Sequence, residues 1–181
     1  MEDEGASPRE LLLESCRRNN TDLLAEVFLD ISKLGKDSAV ERTANLLNNA
    51  QDGIGNHCLH IAASYGSYEV LDMLLDQEGL EVDPLDRLEK DTPLHKAVRY
   101  TNGLSKGDWE VGNGIVELLL DAGADPRLRN KGKLRAIDLV DPRNTELRSI
   151  LQKAEYAMTA GNDVVEESDD EGPTGSASDS E

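Results

Sequence analysis

Leucine, isoleucine and valine recur along this chain in bursts of a few residues, broken by polar positions in a way that suits one face of a helix. The plainest bursts are Val70-Leu71-Asp72-Met73-Leu74-Leu75 and Ile115-Val116-Glu117-Leu118-Leu119-Leu120. Near the start, Pro8-Arg9-Glu10-Leu11-Leu12-Leu13 predicts a helix that ends at Asn19-Asn20. Asp22-Leu23-Leu24-Ala25-Glu26-Val27-Phe28 predicts its partner. Near the end, residues 145–156 form a further amphipathic stretch. Between the bursts lie turn signals, among them Gly66 and Gly123, which suit the left-handed conformation that closes a helix. The pattern predicts paired helices joined by short loops.

Two of these stretches repeat. His57-Cys58-Leu59-His60-Ile61-Ala62-Ala63 aligns without gaps to Thr92-Pro93-Leu94-His95-Lys96-Ala97-Val98, 35 residues later. Thr92 is a good helix cap, and Pro93 suits a first helical position, where the missing N–H would have had no partner. Small Ala62, Ala63 and Ala97 allow neighbouring helices to approach. With the helical bursts that follow and the closing Gly123-Ala124-Asp125-Pro126, the chain resembles the ankyrin-repeat family, whose period is about 33 residues and whose signature is T-P-L-H-x-A. The resemblance implies an all-α solenoid of about four helix-turn-helix units with short extended loop fingers. It divides the chain into an acidic N-terminus over 1–7, units over about 8–50, 51–86, 87–128 and 129–157, and a disordered acidic tail over 158–181. The outer two units match weakly, as capping repeats do, because each presents one face to water. In the last unit Arg135-Ala136-Ile137-Asp138-Leu139 takes the T-P-L-H register.

Three stretches depart from the period. Residues 38–49 read as a lengthened or additional helix between the first two units, and residues 78–84 as a slightly long loop. Residues 101–113 read as an insertion between paired helices that carries Gly103, Gly107, Gly112 and Trp109, the one tryptophan. Trp109 is either a partner anchor or a plug that folds back over the helices of the second and third units.

Charge then narrows the partners. The chain carries 37 acidic against 19 basic residues, a net charge of −18. That opposes nucleic acids and anionic membranes and favours a basic protein partner. From residue 160 onward there are eight acidic residues and no basic one, so a disordered tail is expected, with Ser168 and Ser178 in the sequence context of an acidophilic kinase. Against that trend Arg127, Arg129, Lys131, Lys133 and Arg135 alternate, which predicts a basic strip along one side of an extended finger. The acidic opening, Met1 to Gly5, lacks the order of a secretory signal, and the apolar runs are too short to span a bilayer. An intracellular monomer, cytoplasmic and nuclear, with reduced Cys16 and Cys58, is the expectation.

His57, Cys58 and His60 suggest zinc at first sight, but no second cluster completes a tetrahedral set. No phosphate loop or nucleophile elbow is present. No catalytic residue, metal or cofactor is therefore expected. The resemblance implies instead that His60 and His95 hydrogen-bond between adjacent repeats, and that partners bind along a concave face of fingers and first helices. The candidate contacts there are Tyr65, Arg87, Glu89, Lys90, Asp91, Arg99, Tyr100, Arg129, Lys131 and Lys133, with Trp109 beside them. The layout is similar to small fungal ankyrin proteins with acidic tails, one group of which escorts a newly made ribosomal protein. The expected role is thus an escort for a basic protein, or alternatively a scaffold that binds a kinase, transcription factor or proteasome component.

Overall fold

Ser7 opens the first helix with a reciprocal cap: its hydroxyl accepts from the Glu10 amide at 3.2 Å, while the Glu10 carboxylate accepts from the Ser7 amide at 2.9 Å. Helix α1, Pro8–Arg18, then ends on Asn19 in the left-handed conformation. This computed structural model describes residues 5–35 and 38–161. It continues with α2 (Thr21–Ser32), α3 (Ala39–Asn49), α4 (Cys58–Ser64), α5 (Tyr68–Leu75) and α6 (Pro93–Asn102). A short 3-10 turn at Lys106–Asp108 leads into α7 (Trp109–Asp121), a second one spans Ala136–Leu139, and a last helix, α8, covers 145–161. No strand forms among the described residues, only an isolated antiparallel bridge between Gln51 and His57.

The helices stack in two rows. First helices α1, α4 and α6 and the Ala136–Leu139 turn pack in succession, and α2, α5 and α7 form the second row behind them. Between the rows runs one apolar core that includes Leu12, Leu24, Leu59, Leu71, Leu74, Leu94, Ile115, Leu119, Leu147 and Leu151, all essentially buried. Ala62, Ala63 and Ala97 of the first helices are fully buried. Asparagines tie successive units. Asn19 accepts from the Val70 amide at 3.0 Å and donates to Glu69, and Asn102 donates to the Leu139 carbonyl at 2.8 Å while accepting from the Asp141 amide.

The stretch over 38–49 is a separate helix, α3. It packs on α2, and Asn48 fastens it to the second unit by donating to the Gly79 carbonyl at 2.9 Å and accepting from the Glu81 amide at 2.9 Å. The stretch over 101–113 is not the insertion loop that its glycines suggest. Thr101 and Asn102 close α6, and α7 already begins at Trp109. Gly112 lies within that helix because a Cβ there would sit 2.2 Å from the buried Thr101 hydroxyl oxygen. A glycine costs about 1 kcal/mol of helix propensity, and here it permits the close crossing of α6 and α7. The last unit also differs from expectation. Its first helix is reduced to the 3-10 turn, and α8 runs on past Tyr156 to the last described residue, so residues 158–161 belong to the fold. The remainder of the tail, with Ser168 and Ser178, and residues 1–4 lie outside the described residues.

The four units share one device at the third residue of their first helix. Glu10, His60, His95 and Asp138 each accept from the backbone amide of their own cap residue. The two histidines then reach forward. With Nδ1 accepting from the cap amide, Nε2 carries the proton and donates to the next finger: His60 to the Asp91 carbonyl and His95 to the Leu134 carbonyl, each at 2.8 Å. In the first unit Arg9 makes the equivalent link, donating to the Gln51 carbonyl at 2.8 Å.

A neutral, buried imidazole has a consequence for pH. Burial first, offset in part by the bond to the Asp91 carbonyl, holds His60 down to about 4 from its ordinary 6.5, and burial lowers His95 and His57 as well. The unfolded chain therefore takes up protons near pH 6.5 that the fold refuses. The stability from this source is complete above pH 6.5 and is lost as pH falls toward 4, about 3 kcal/mol for His60. Urea unfolding at pH 7.5 and pH 4.5 is expected to show this decline, and His60→Gln to flatten it while weakening the protein at pH 7.5. An unchanged slope in that variant would show that other groups carry the pH dependence.

Candidate protein-binding surface

Between one unit and the next the chain turns back on itself in a finger, and an Asp or Asn side chain closes each turn. Asp52 Oδ1 accepts from the amides of Ile54 and Asn56, Asp86 Oδ1 from Glu89 and Asp91, and Asn130 Oδ1 from Gly132 and Leu134. A backbone bond crosses each base: Asp52 to Asn56, Asp86 to Asp91, Asn130 to Leu134. The penultimate residue takes positive φ in all three, at Gly55 (89°), Lys90 (57°) and Lys133 (69°). The fingers touch side by side. Gly55 packs so close to Arg87 that a Cβ would lie 2.4 Å from the arginine's own Cβ, and the Lys131 amide donates to the Glu89 carbonyl at 2.7 Å. Together they make a ledge along the first-helix row.

Arg87, Glu89, Lys90, Arg129, Lys131 and Lys133 are all exposed on this ledge. The predicted alternation is broken by the tight turn at 130–134, so the five cations do not share one side of a strand. Arg129 bends across the turn and donates to the Lys133 carbonyl at 2.8 Å. Arg127 and Arg135 leave the group for local partners, Arg127 bonding Asp125 and Arg135 bonding Asp138 and Glu155. The candidate contacts also omit two exposed apolar tips, Ile54 and Leu88. Their signal in the sequence was an apolar residue at a turn centre beside glycine or charge.

Asp91 does not belong to the exposed set. It is fully buried at the foot of the second finger, where Arg99 Nε lies 2.8 Å and Lys96 Nζ 3.5 Å from its carboxylate and Asn130 Nδ2 donates at 2.9 Å. Burial alone would raise its pKa. The bonds from Arg99 and Asn130 and the charges of Arg99 and Lys96 outweigh that and hold the carboxyl below its ordinary value. Lys96 also pairs with Asp86 at 3.1 Å, so one cluster binds the second finger to α6 and the third finger. Arg99 is consequently engaged through both Nε and Nη2, with less than half of its side chain exposed.

Tyr65 and Tyr100 come together. Tyr65 stands exposed at the end of α4, and the ring of Tyr100 covers the adjacent Gly66, whose φ of 67° and lack of a Cβ make room for it. Trp109 lies elsewhere, at the start of α7 in the second row. It is 8% exposed, and the Arg143 guanidinium sits 5.8 Å from its ring centroid. Its place is that of a plug at the corner of the last two units, not of an anchor on the ledge. A polar groove of about 490 Å³ beside α1 is lined by Arg9, Glu10, Glu14, Arg17 and Asp52, with charges of both signs.

The histidines and cysteines have other duties. Both His60 nitrogens are engaged in the inter-unit bonds described above, and no group of three or more His, Cys, Asp or Glu suited to a metal occurs among the described residues. Cys16 and Cys58 are fully buried. Contact with the Cys58 thiol first, and burial second, push Cys16 well above the ordinary thiol range, which leaves it unreactive. No helix among the described residues is long and apolar enough to cross a membrane.

The repeated helix pairs are matched by known proteins. Residues 4–130 match ankyrin repeats, in three copies. The chain is 42% identical over 172 residues to the ankyrin repeat-containing protein YGL242C of Saccharomyces cerevisiae, covering 94% of this chain and 90% of that protein. It is also 35% identical over 97 residues to a transient receptor potential cation channel subfamily A member 1 homolog of Caenorhabditis elegans, a match that takes in 54% of this chain and only 7% of the channel. Ankyrin repeats are protein-interaction modules, and this chain belongs to the ankyrin-repeat family.

Proposed function

We propose that the protein is a non-enzymatic escort, or chaperone-like adaptor, for a basic intracellular protein of the ribosomal or translation-factor kind, acting as a monomer in cytoplasm and nucleus. The observation that supports this is the charge: 37 acidic against 19 basic residues, with eight of the acidic ones and no basic one in 162–181. A basic client gains from approach to such a surface, and rates of encounter rise with it. Affinity capture from cell extract at low and at high salt tests the reading. Enrichment of basic ribosomal or translation proteins that falls away at high salt is expected, and no such enrichment at low salt sinks the proposal.

A second reading rests on the ledge. Exposed Ile54 and Leu88 stand among charges on the fingers, with Tyr65 exposed at the other end of α4, a composition that suits a scaffold that grips a regulatory protein. That reading expects capture to persist at high salt and to be indifferent to neutralised tail acids.

A further inference from the structure

The ledge contradicts the sign of the rest of the molecule. Among the described residues Arg87, Lys90, Arg129, Lys131 and Lys133 have no carboxylate within ion-pair distance, whereas Arg99, Arg127, Arg135 and Arg143 are each paired. Clustered cations without direct ion-pair partners, in a chain of net charge −18, suit an acidic segment. Glu89 is exposed among them, and the exposed Asp138, bonded to Arg135, also feels the charge of Arg129.

An acidic segment is at hand. Glu155 of α8 bonds Arg135 at 2.8 Å, and Arg135 is two residues past Lys133, at the foot of the third finger. Residue 161 is six helical residues beyond Glu155, about 9 Å along the axis. The 20 residues that follow carry eight acids, among them Asp163, Glu166, Glu167, Asp169, Asp170 and Glu171. The first ten of these residues, 162–171, hold six of the eight acids and reach about 33 Å when extended. We propose that segment 162–171 of this chain docks on the basic ledge of its own third and second fingers, through Arg129, Lys131, Lys133 and Lys90. Exposed ion pairs are individually weak and screened by salt. Tethering makes the contact intramolecular, at an effective concentration on the order of millimolar, and so sustains several weak pairs together. The docked segment covers the ledge until a basic client draws the acids away or an acidic partner replaces them. The contact itself needs no client, so it stands or falls apart from the escort reading.

The test uses the full chain, labelled for amide NMR, against a full-chain variant carrying Asp163→Asn, Glu166→Gln, Glu167→Gln, Asp169→Asn, Asp170→Asn and Glu171→Gln. At about 50 mM salt the amides of Lys131, Gly132 and Lys133 are expected to differ between the two proteins, and at about 500 mM salt to coincide. In a second pair of proteins that also carry Arg129→Gln, Lys131→Gln and Lys133→Gln, the low-salt difference is expected to vanish. Core amides such as those of Leu71 and Ile115 report that every variant is folded. Identical finger signals at low salt overturn the proposal. So do differences centred on another surface, such as the groove beside α1, or differences that grow with protein concentration, which would mean contact between molecules.

Discussion

Asp91→Ala is expected to lower the unfolding free energy by about 3 kcal/mol, although the residue is charged and lies in a loop. Its carboxylate is the common acceptor for Arg99, Lys96 and Asn130 in a buried position. Removing it leaves the Lys96 ammonium with Asp86 alone, strands the Asn130 amide, and loosens the backbone carbonyl that His60 uses. For a chain of this size the melting temperature should fall by about 10 °C. Asp91→Asn keeps the shape and one acceptor, and should cost clearly less. Thermal unfolding of the three proteins checks both statements, and equal losses in Ala and Asn would mean that the charge is not what matters.

Trp109→Ala is expected to cost about 3–4 kcal/mol, in the range for removing a large buried aromatic side chain. The ring packs at the start of α7 against the Arg143 guanidinium, so its loss opens a cavity and removes that contact, leaving Arg143 on Asp141. Denaturant unfolding measures the loss. Because the ledge lies on the other row, client capture by the folded variant should be unchanged. Full stability with lost capture would restore the ring to the role of anchor.

How much of this was legible beforehand depended on whether the decisive contact was local. Thr92 and Pro93 signal a helix start through their own backbone chemistry, and the histidine register repeats visibly, so the two central units could be drawn from the residues alone. Gly112 shows the opposite case. A glycine reads as a break when its neighbours are unknown, and only the crossing of α7 over Thr101 of α6 explains its place inside a helix. Asp91 was misplaced for the same kind of reason. A carboxylate in a charged loop is normally exposed, and its burial here depends on Arg99 and Asn130 arriving from positions eight and 39 residues away. The alternating basic residues followed a strand rule that a tight turn closed by Asn130 does not obey. Ile54 and Leu88 went unnoticed because single exposed apolar residues are ordinary, and their meaning comes from the ledge on which they stand.

The histidine links point one way along the chain, each from a unit to the finger that follows it. A ribosome delivers the units in that same order, so His60 has no acceptor until Asp91 has emerged, and His95 none until Leu134 has. Each newly made unit is thus completed from ahead rather than from behind. Truncation from the C-terminal end strips a buried donor of its partner, while the same loss from the N-terminal end leaves both histidines satisfied. Asp138 ends the series: it takes the histidine's position, folds back on its own cap, and offers nothing forward for a further repeat to receive.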